Sequence, residues 1–316
     1  MIRDLRIIFM GTPEFAVASL NALIENNFNV VGVITAADKP AGRGRKLNTS
    51  AVKQFALEKG LPVLQPKNLK NEKFLDALKA LEPNLQIVVA FRMLPKIIWQ
   101  LPEYGTFNLH ASLLPQYRGA APINWAIING ETVTGVTTFF IDEKIDTGEI
   151  ILQKEVSIEK NDTAGNLHDK LMVIGSALVI ETVEGIAAGT IKTFIQPTGN
   201  KLKAAPKLNS ENCKLDWRET TYNLGNKIRG LSPYPVAWCE LLNGTDRLRV
   251  KIYDADIIEI DHDFDPGHLI ISKNEIKVAA RNGVVSLKEI QVPGKRRMDI
   301  KSLINGFHFE TNAKML

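Results

Sequence analysis

Three runs in the first part of the chain, LRIIFM at 5–10, VVGVIT at 30–35 and LQIVVA at 85–90, are apolar at nearly every position rather than at every second one. A strand with one face in water alternates, whereas a strand covered on both faces has no reason to. Between the runs lie segments with helical spacing: residues 14–26, with Phe15, Val17, Ala18, Leu20 and Leu23 on one side, then 49–59 and 71–81. Strand, helix and returning strand in this order build βαβ units. The expected fold class is α/β, a Rossmann-like, mostly parallel sheet with helices on both faces. Thr12 is expected to cap the first helix, with Pro13 at its first position. Gly11 stands alone where a dinucleotide fingerprint needs three glycines, so NAD binding at this turn is excluded.

In such a sheet, ligands gather beyond the carboxyl ends of the strands. The stretch FNLHASLLPQYRG at 107–119 places a polar pair at one of these ends. The two-residue period of a strand over 107–110 puts Asn108 and His110 on one face, and Phe107 and Leu109 on the other. Pro115 ends the regular structure and Gly119 closes a loop. An amide can donate to an oxyanion, and an imidazole can take or return a proton near neutral pH. Neither side chain is a good covalent nucleophile, which assigns the nucleophile to a substrate. The run TGVTTFFIDEKIDTGEIIL at 134–152 offers a third group: a strand over 136–141, then a turn bearing Asp142, Glu143 and Asp146. A carboxylate from this turn against His110 would orient the ring. Spacing alone does not choose between Asp142 and Asp146.

The two motifs NLHASLLPQYRGAAPINWAI and TGVTTFFIDEKIDTGEI resemble the folate-dependent formyltransferases, and the likeness runs from about residue 5 to beyond residue 229. It implies Asn108, His110 and Asp146 as the catalytic set. It also implies folate contacts at Phe91, Arg92, Met93 and Leu94, and at Ser112, Leu113, Leu114 and Pro115. Where many members carry Tyr-Gly before Leu-Pro, this chain reads Phe91-Arg92-Met93, a departure in the turn that faces the pterin. Within the family, the chain is similar to members that formylate methionine carried on initiator tRNA. That likeness implies 10-formyltetrahydrofolate as donor, no metal, and a tRNA-borne amine as acceptor. PAGRGRKL at 40–47 resembles the basic loop that such members direct at the acceptor stem, with Arg43 as the positioning contact and Arg45 and Lys46 as phosphate partners. Glycinamide ribonucleotide or an amino-sugar nucleotide could serve as acceptor for the same catalytic set, but would leave this loop without a purpose. A non-catalytic RNA-binding protein would have no need of the set itself.

The expected organisation is a catalytic domain at 1–189, a linker at 190–206 and a second domain at 207–316. The linker holds Pro197, Gly199 and Pro206 without helical period. Beyond it, short strands at 237–242, 248–255, 269–272, 275–280 and 284–290 alternate with turns, and Asn282-Gly283 marks a hairpin. This pattern predicts a small barrel, OB-like by the resemblance, whose role would be to bind tRNA. Residues 1–189 hold 19 Lys and Arg against 20 Asp and Glu, whereas 190–316 hold 20 against 15, so the positive surplus is C-terminal. Lys207, Arg229 and the Lys295-Arg296-Arg297 run are the expected phosphate contacts there.

Cys213 and Cys239 have no CxxC spacing, which gives neither a disulfide framework nor a zinc site and fits a reducing, cytoplasmic setting. The N-terminus reads as a strand rather than a signal peptide, and no run of about 20 apolar residues is expected to cross a membrane. No heptad or long apolar stripe demands a partner, so a monomer is expected. His168, His262, His268 and His308 carry no assigned role.

Overall fold

A computed structural model of the chain describes residues 3–41, 46–199 and 201–316, with the side chains of residues 40, 41, 46 and 47 left undescribed. It divides into two compact units. The first comprises residues 1–119, 133–157 and 168–204; the second comprises 120–132, 158–167 and 205–316.

The first unit is built on a seven-stranded sheet. In spatial order its strands are Ile150–Ser157, Val133–Phe140, Thr106–His110, Leu85–Val89, Ile7–Gly11, Val30–Ile34 and Val63–Leu64. The five from Thr106–His110 to Val63–Leu64 pair in parallel, and the other two add antiparallel at one edge. The expected parallel sheet is present. The continuous apolar runs have the predicted cause: every residue of Ile7–Gly11 and of Leu85–Val89 is buried. Ile8, Met10, Ile34 and Val88 pack against Phe74, Leu78, Leu94 and Ile98 on one side of the sheet. The turn into helix Glu14–Glu25 needs glycine at Gly11, where a Cβ would lie 2.5 Å from that of Ala16. Ser50 and Asn71 cap the next two helices by accepting from Lys53 N and Phe74 N. The first helix differs from expectation. Pro13 is its extended N-cap, one residue further out than predicted, and no side chain caps it.

The helix Ala164–Ala188 is long and apolar enough to cross a membrane by length and composition alone, although Asp169, Lys170, Glu181 and Glu184 leave it without an unbroken run of about 20 apolar residues. In the first unit Leu171, Leu178, Val179, Val183 and Ile186 are buried, and Thr182 shares a 2.8 Å hydrogen bond with Thr138 of the sheet. Its apolar face is used in packing.

The second unit is a nearly closed antiparallel barrel. Its strands run Leu269–Ile271, Ile276–Ala280, Gly283–Gln291, Asp246–Glu259, Ala237–Asn243 and Lys314–Met315, and a His268–Lys314 bridge joins the two ends. Helix Thr221–Leu231 starts at a Thr220 cap and buries Leu224, Ile228 and Leu231 against Cys239, Val250, Ile252 and Ile290. The hairpin pairs Ala280 with Gly283, so the turn residues are Arg281 and Asn282, one position before the predicted pair. Helix Pro122–Ile128 belongs to this unit. Asn124 donates to Gly230 O at 2.8 Å and Trp125 Nε1 to Pro206 O at 2.8 Å.

Candidate active site

The strand Thr106–His110 buries Phe107 and Leu109 and leaves Asn108 half-buried on its other face, as the two-residue period predicts. The Asn108 Oδ1 atom is buried without a hydrogen-bond partner among the described residues. Such an atom costs free energy until something donates to it or the amide turns, and it marks a place where the fold leaves hydrogen-bonding capacity unspent.

His110 is 6% exposed, and both of its ring nitrogens face protein groups. Nε2 lies 2.9 Å from the carbonyl oxygen of Tyr117. A carbonyl only accepts, so Nε2 carries the hydrogen in that bond. Nδ1 then faces the Asp146 carboxylate, with Oδ2 at 3.9 Å. That separation is an ion-pair distance once the ring is protonated, and it is too long for a hydrogen bond. The edge of Phe139 closes one side of the ring, with centroids 6.4 Å apart.

The structure separates the two aspartates that spacing left open. Asp142 is turned into its own loop, where it accepts from Lys144 N at 3.0 Å and from the Thr147 hydroxyl at 2.7 Å. Asp146 faces His110, and its Oδ2 accepts from Gly119 N at 2.9 Å. Its backbone is left-handed, with φ of +54°, which is uncommon for a residue with a Cβ. Tyr117, the other partner of His110, is also left-handed, at φ +60°.

Ser112, Leu113, Leu114 and Pro115 are held from below. The Thr137 hydroxyl donates to Ser112 O at 2.6 Å and accepts from Leu114 N at 3.2 Å, while Gln153 Nε2 donates to Leu114 O at 2.9 Å. The Leu114 side chain packs with Phe139 and Ile150 in the core. In the neighbouring turn, Leu94 is likewise core, whereas Met93 is 69% exposed. The Arg92 guanidinium donates to the carbonyls of Pro66 and Lys67. The Ser112 hydroxyl donates to Gln116 O at 2.7 Å and Phe91 packs against the core, so Phe91, Arg92, Leu94, Ser112 and Leu114 all have side chains engaged in the protein.

The structure also brings in residues that sequence reasoning missed. Gln196, from the stretch expected to be a linker, is 4% exposed and donates to Asp146 O and Gly148 O. Arg118 donates to its Oε1. Arg118 lies within the motif at 107–119 but was given no role there, and no sequence signal marks Gln196, because a single glutamine among prolines and glycines has no period.

Among the expected phosphate contacts, Lys207 is exposed. Arg229 is half-buried. Its guanidinium donates to Asp162 O at 3.0 Å and to Asn226 Oδ1 at 3.0 and 3.1 Å, and burial lowers its pKa from the ordinary value. These bonds hold it to acceptors of the second unit and use three of its five N–H donors. Arg43 and Arg45 lie outside the described residues, as does the side chain of Lys46. Among the described residues, no group of three or more His, Cys, Asp or Glu is arranged to hold a metal.

Residues 5–183 match the formyl transferase family and residues 207–308 its C-terminal domain. A methionyl-tRNA formyltransferase of Flavobacterium johnsoniae is 60% identical over 314 residues, which is 99% of this chain and 100% of the relative. One from Bacteroides fragilis is 50% identical over 317 residues, covering 99% and 98%. Among solved structures, a sugar 3N-formyl transferase with dTDP and 5-N-formyl-THF is similar at a TM-score of 0.66 and 22% identity, covering 93% of this chain and 100% of that one. HypX from Aquifex aeolicus with tetrahydrofolic acid is similar at a TM-score of 0.64 and 17% identity, covering 96% of this chain and 47% of that one. At these identities the structural likenesses speak to the fold alone.

Proposed function

The chain belongs to the formyl transferase family, and we propose that it transfers the formyl group of 10-formyltetrahydrofolate to the α-amine of methionine esterified to initiator tRNA. The observation that carries the site reading is the placement of His110 between the Tyr117 carbonyl and the Asp146 carboxylate, on the same strand face as Asn108, whose Oδ1 has no partner among the described residues. The naming of the relatives that match the chain end to end supports the choice of acceptor.

The nucleophile is the acceptor's own nitrogen. As it attacks the formyl carbon, Asn108 is the donor for the negative charge that develops on the formyl oxygen. His110 accepts the proton that the amine loses and returns it to the departing folate nitrogen. With Nε2–H held by Tyr117, Nδ1 is the nitrogen that gains and loses this proton, and Asp146 steadies the ring while it is charged. The turns around Phe91, Arg92, Met93 and Leu94 and around Ser112, Leu113, Leu114 and Pro115 follow neighbouring parallel strands and would hold the folate, the first with its backbone groups and the exposed Met93. Residues 1–189 serve catalysis in this reading. Residues 207–316 serve tRNA binding, together with Arg43, Arg45 and Lys46 of the basic loop and with Lys207.

The test is single-turnover formylation with 10-formyltetrahydrofolate, offering methionyl initiator tRNA, free methionine or glycinamide ribonucleotide. Product from the tRNA alone is expected. Efficient use of either small amine would overturn the choice of acceptor while leaving the catalytic set in place.

A further inference from the structure

We infer that residues 193–199 and 201–203, within what sequence reads as a connector, form a strap that holds both partners of His110 in place, and that Gln196 is a positioning residue for Asp146. The inference rests on the catalytic reading of His110 and Asp146 given above.

Two anchors fix the strap. Near its start, Phe194 exchanges backbone hydrogen bonds with Ile150, at 2.8 and 2.9 Å, which adds it antiparallel to the strand Ile150–Ser157. Thr193 donates to the Glu149 carboxylate beside it. At its end, Lys203 N donates to Gln116 Oε1 at 2.8 Å, and Lys203 O accepts from Tyr117 N at 2.6 Å. Between them, Gln196 is directed inward. Its Nε2 donates to Asp146 O at 3.0 Å and to Gly148 O at 2.7 Å, and its Oε1 accepts from Arg118 Nη2 at 2.6 Å and Nε at 3.0 Å.

These contacts form a closed circuit. The Asp146 backbone is held by Gln196, Gln196 by Arg118, and Arg118 is followed in the chain by Gly119, whose N–H holds the Asp146 carboxylate. Asp146 is therefore gripped at both its main chain and its side chain. It needs the grip, because a left-handed backbone at a residue with a Cβ relaxes unless its surroundings over-determine it. The same holds for Tyr117, whose carbonyl takes the His110 Nε2–H and whose N–H is bound by the strap. Both residues whose oxygens face the imidazole nitrogens are left-handed, and each is tied to the strap.

The experiment compares Gln196→Ala and Gln196→Glu, in otherwise intact enzyme, in single-turnover formylation of methionyl initiator tRNA. Glu keeps the acceptor for Arg118 but removes the donor to Asp146 and Gly148. A displacement of about 1 Å at a reacting group can cost about a hundredfold, so kcat should fall by about ten- to a hundredfold in both variants, with KM for tRNA and folate unchanged. The decisive reading is a double-mutant cycle with Asp146→Asn. If Gln196 acts through Asp146, adding Gln196→Ala to Asp146→Asn lowers the rate little further, whereas a general loss of structure lowers both backgrounds equally. Equal falls, a fall confined to KM, or failure of both Gln196 variants to fold would overturn the assignment. If Asp146→Asn alone retains full rate, the catalytic reading of Asp146 fails, and that outcome is separate from the behaviour of Gln196.

Discussion

Asn108 and His110 share one face of one strand, yet their surroundings differ, and so should the effects of replacing them. Asn108 has an unspent carbonyl oxygen and few obligations to the fold. Asn108→Ala should therefore leave stability nearly unchanged and lower turnover by two to three orders of magnitude, equivalent to the ~2.7–4 kcal/mol of a lost oxyanion donor. Near-normal turnover in a single-turnover assay would remove Asn108 from the mechanism. Cys239 illustrates a residue whose role is purely internal. Burial pushes its thiol up to about 12 from an ordinary 9.0. Below pH 9.0 the thiol is neutral in folded and unfolded chains alike, so its contribution to stability is complete. Between there and about 12 only the unfolded chain loses the proton, and the contribution is lost as pH rises. The melting temperature of the native enzyme should accordingly fall more steeply across this window than that of Cys239→Ala. What the sequence makes legible at this scale is whatever has a period. Asn108 and His110 declare themselves by alternation, but Asp146 and Asp142 are separated only by which way a turn points, and Gln196 only by where a strap crosses.

Helices were readable from their apolar spacing, whereas their ends were not: the expected Thr12 cap is absent and Pro13 stands at the N-cap. The caps Ser50, Asn71 and Thr220 each satisfy a backbone N–H that the helix leaves open. The edge strand Ile150–Ser157 was not anticipated, because Gln153, Lys154 and Glu155 interrupt its apolar pattern with three polar residues, as an edge strand permits. That strand nevertheless supplies the anchor for the strap and, through Gln153, the floor under Leu114. The loop between the two antiparallel strands is equally constrained. A Cβ on Gly148 would lie 1.7 Å from Phe140 O, so Gly148→Ala must move the loop that carries Asp146. We expect it to lower kcat by more than tenfold while melting stays cooperative; unchanged kcat would show that the loop tolerates the shift. On helix Thr221–Leu231, Arg229→Ala should destabilise the second unit by ~1–3 kcal/mol through its orphaned acceptors, measured by denaturant unfolding.

At the scale of the whole molecule, the α/β class and the barrel were legible because both follow from strand patterning, and the C-terminal charge surplus from simple counting. Formylation of tRNA should weaken as salt rises, with a log–log slope of about 0.7–0.9 per phosphate contact. Lys207→Ala and Arg43→Ala should each flatten that slope by about one contact, and salt-independent turnover on charged tRNA would argue against both residues. The spatial division of the chain was not legible, because residues 120–132 and 158–167 carry no mark in their own composition that they pack with the second unit. This interleaving limits how such enzymes can exchange parts. A graft that joins the front of one formyltransferase to the back of another at residue 190 or 206 would keep two fragments of the donor's missing half, among them helix Pro122–Ile128. The foreign barrel would have to accept a helix it never evolved with. Exchanging the second unit as a whole would have to move three separate segments together.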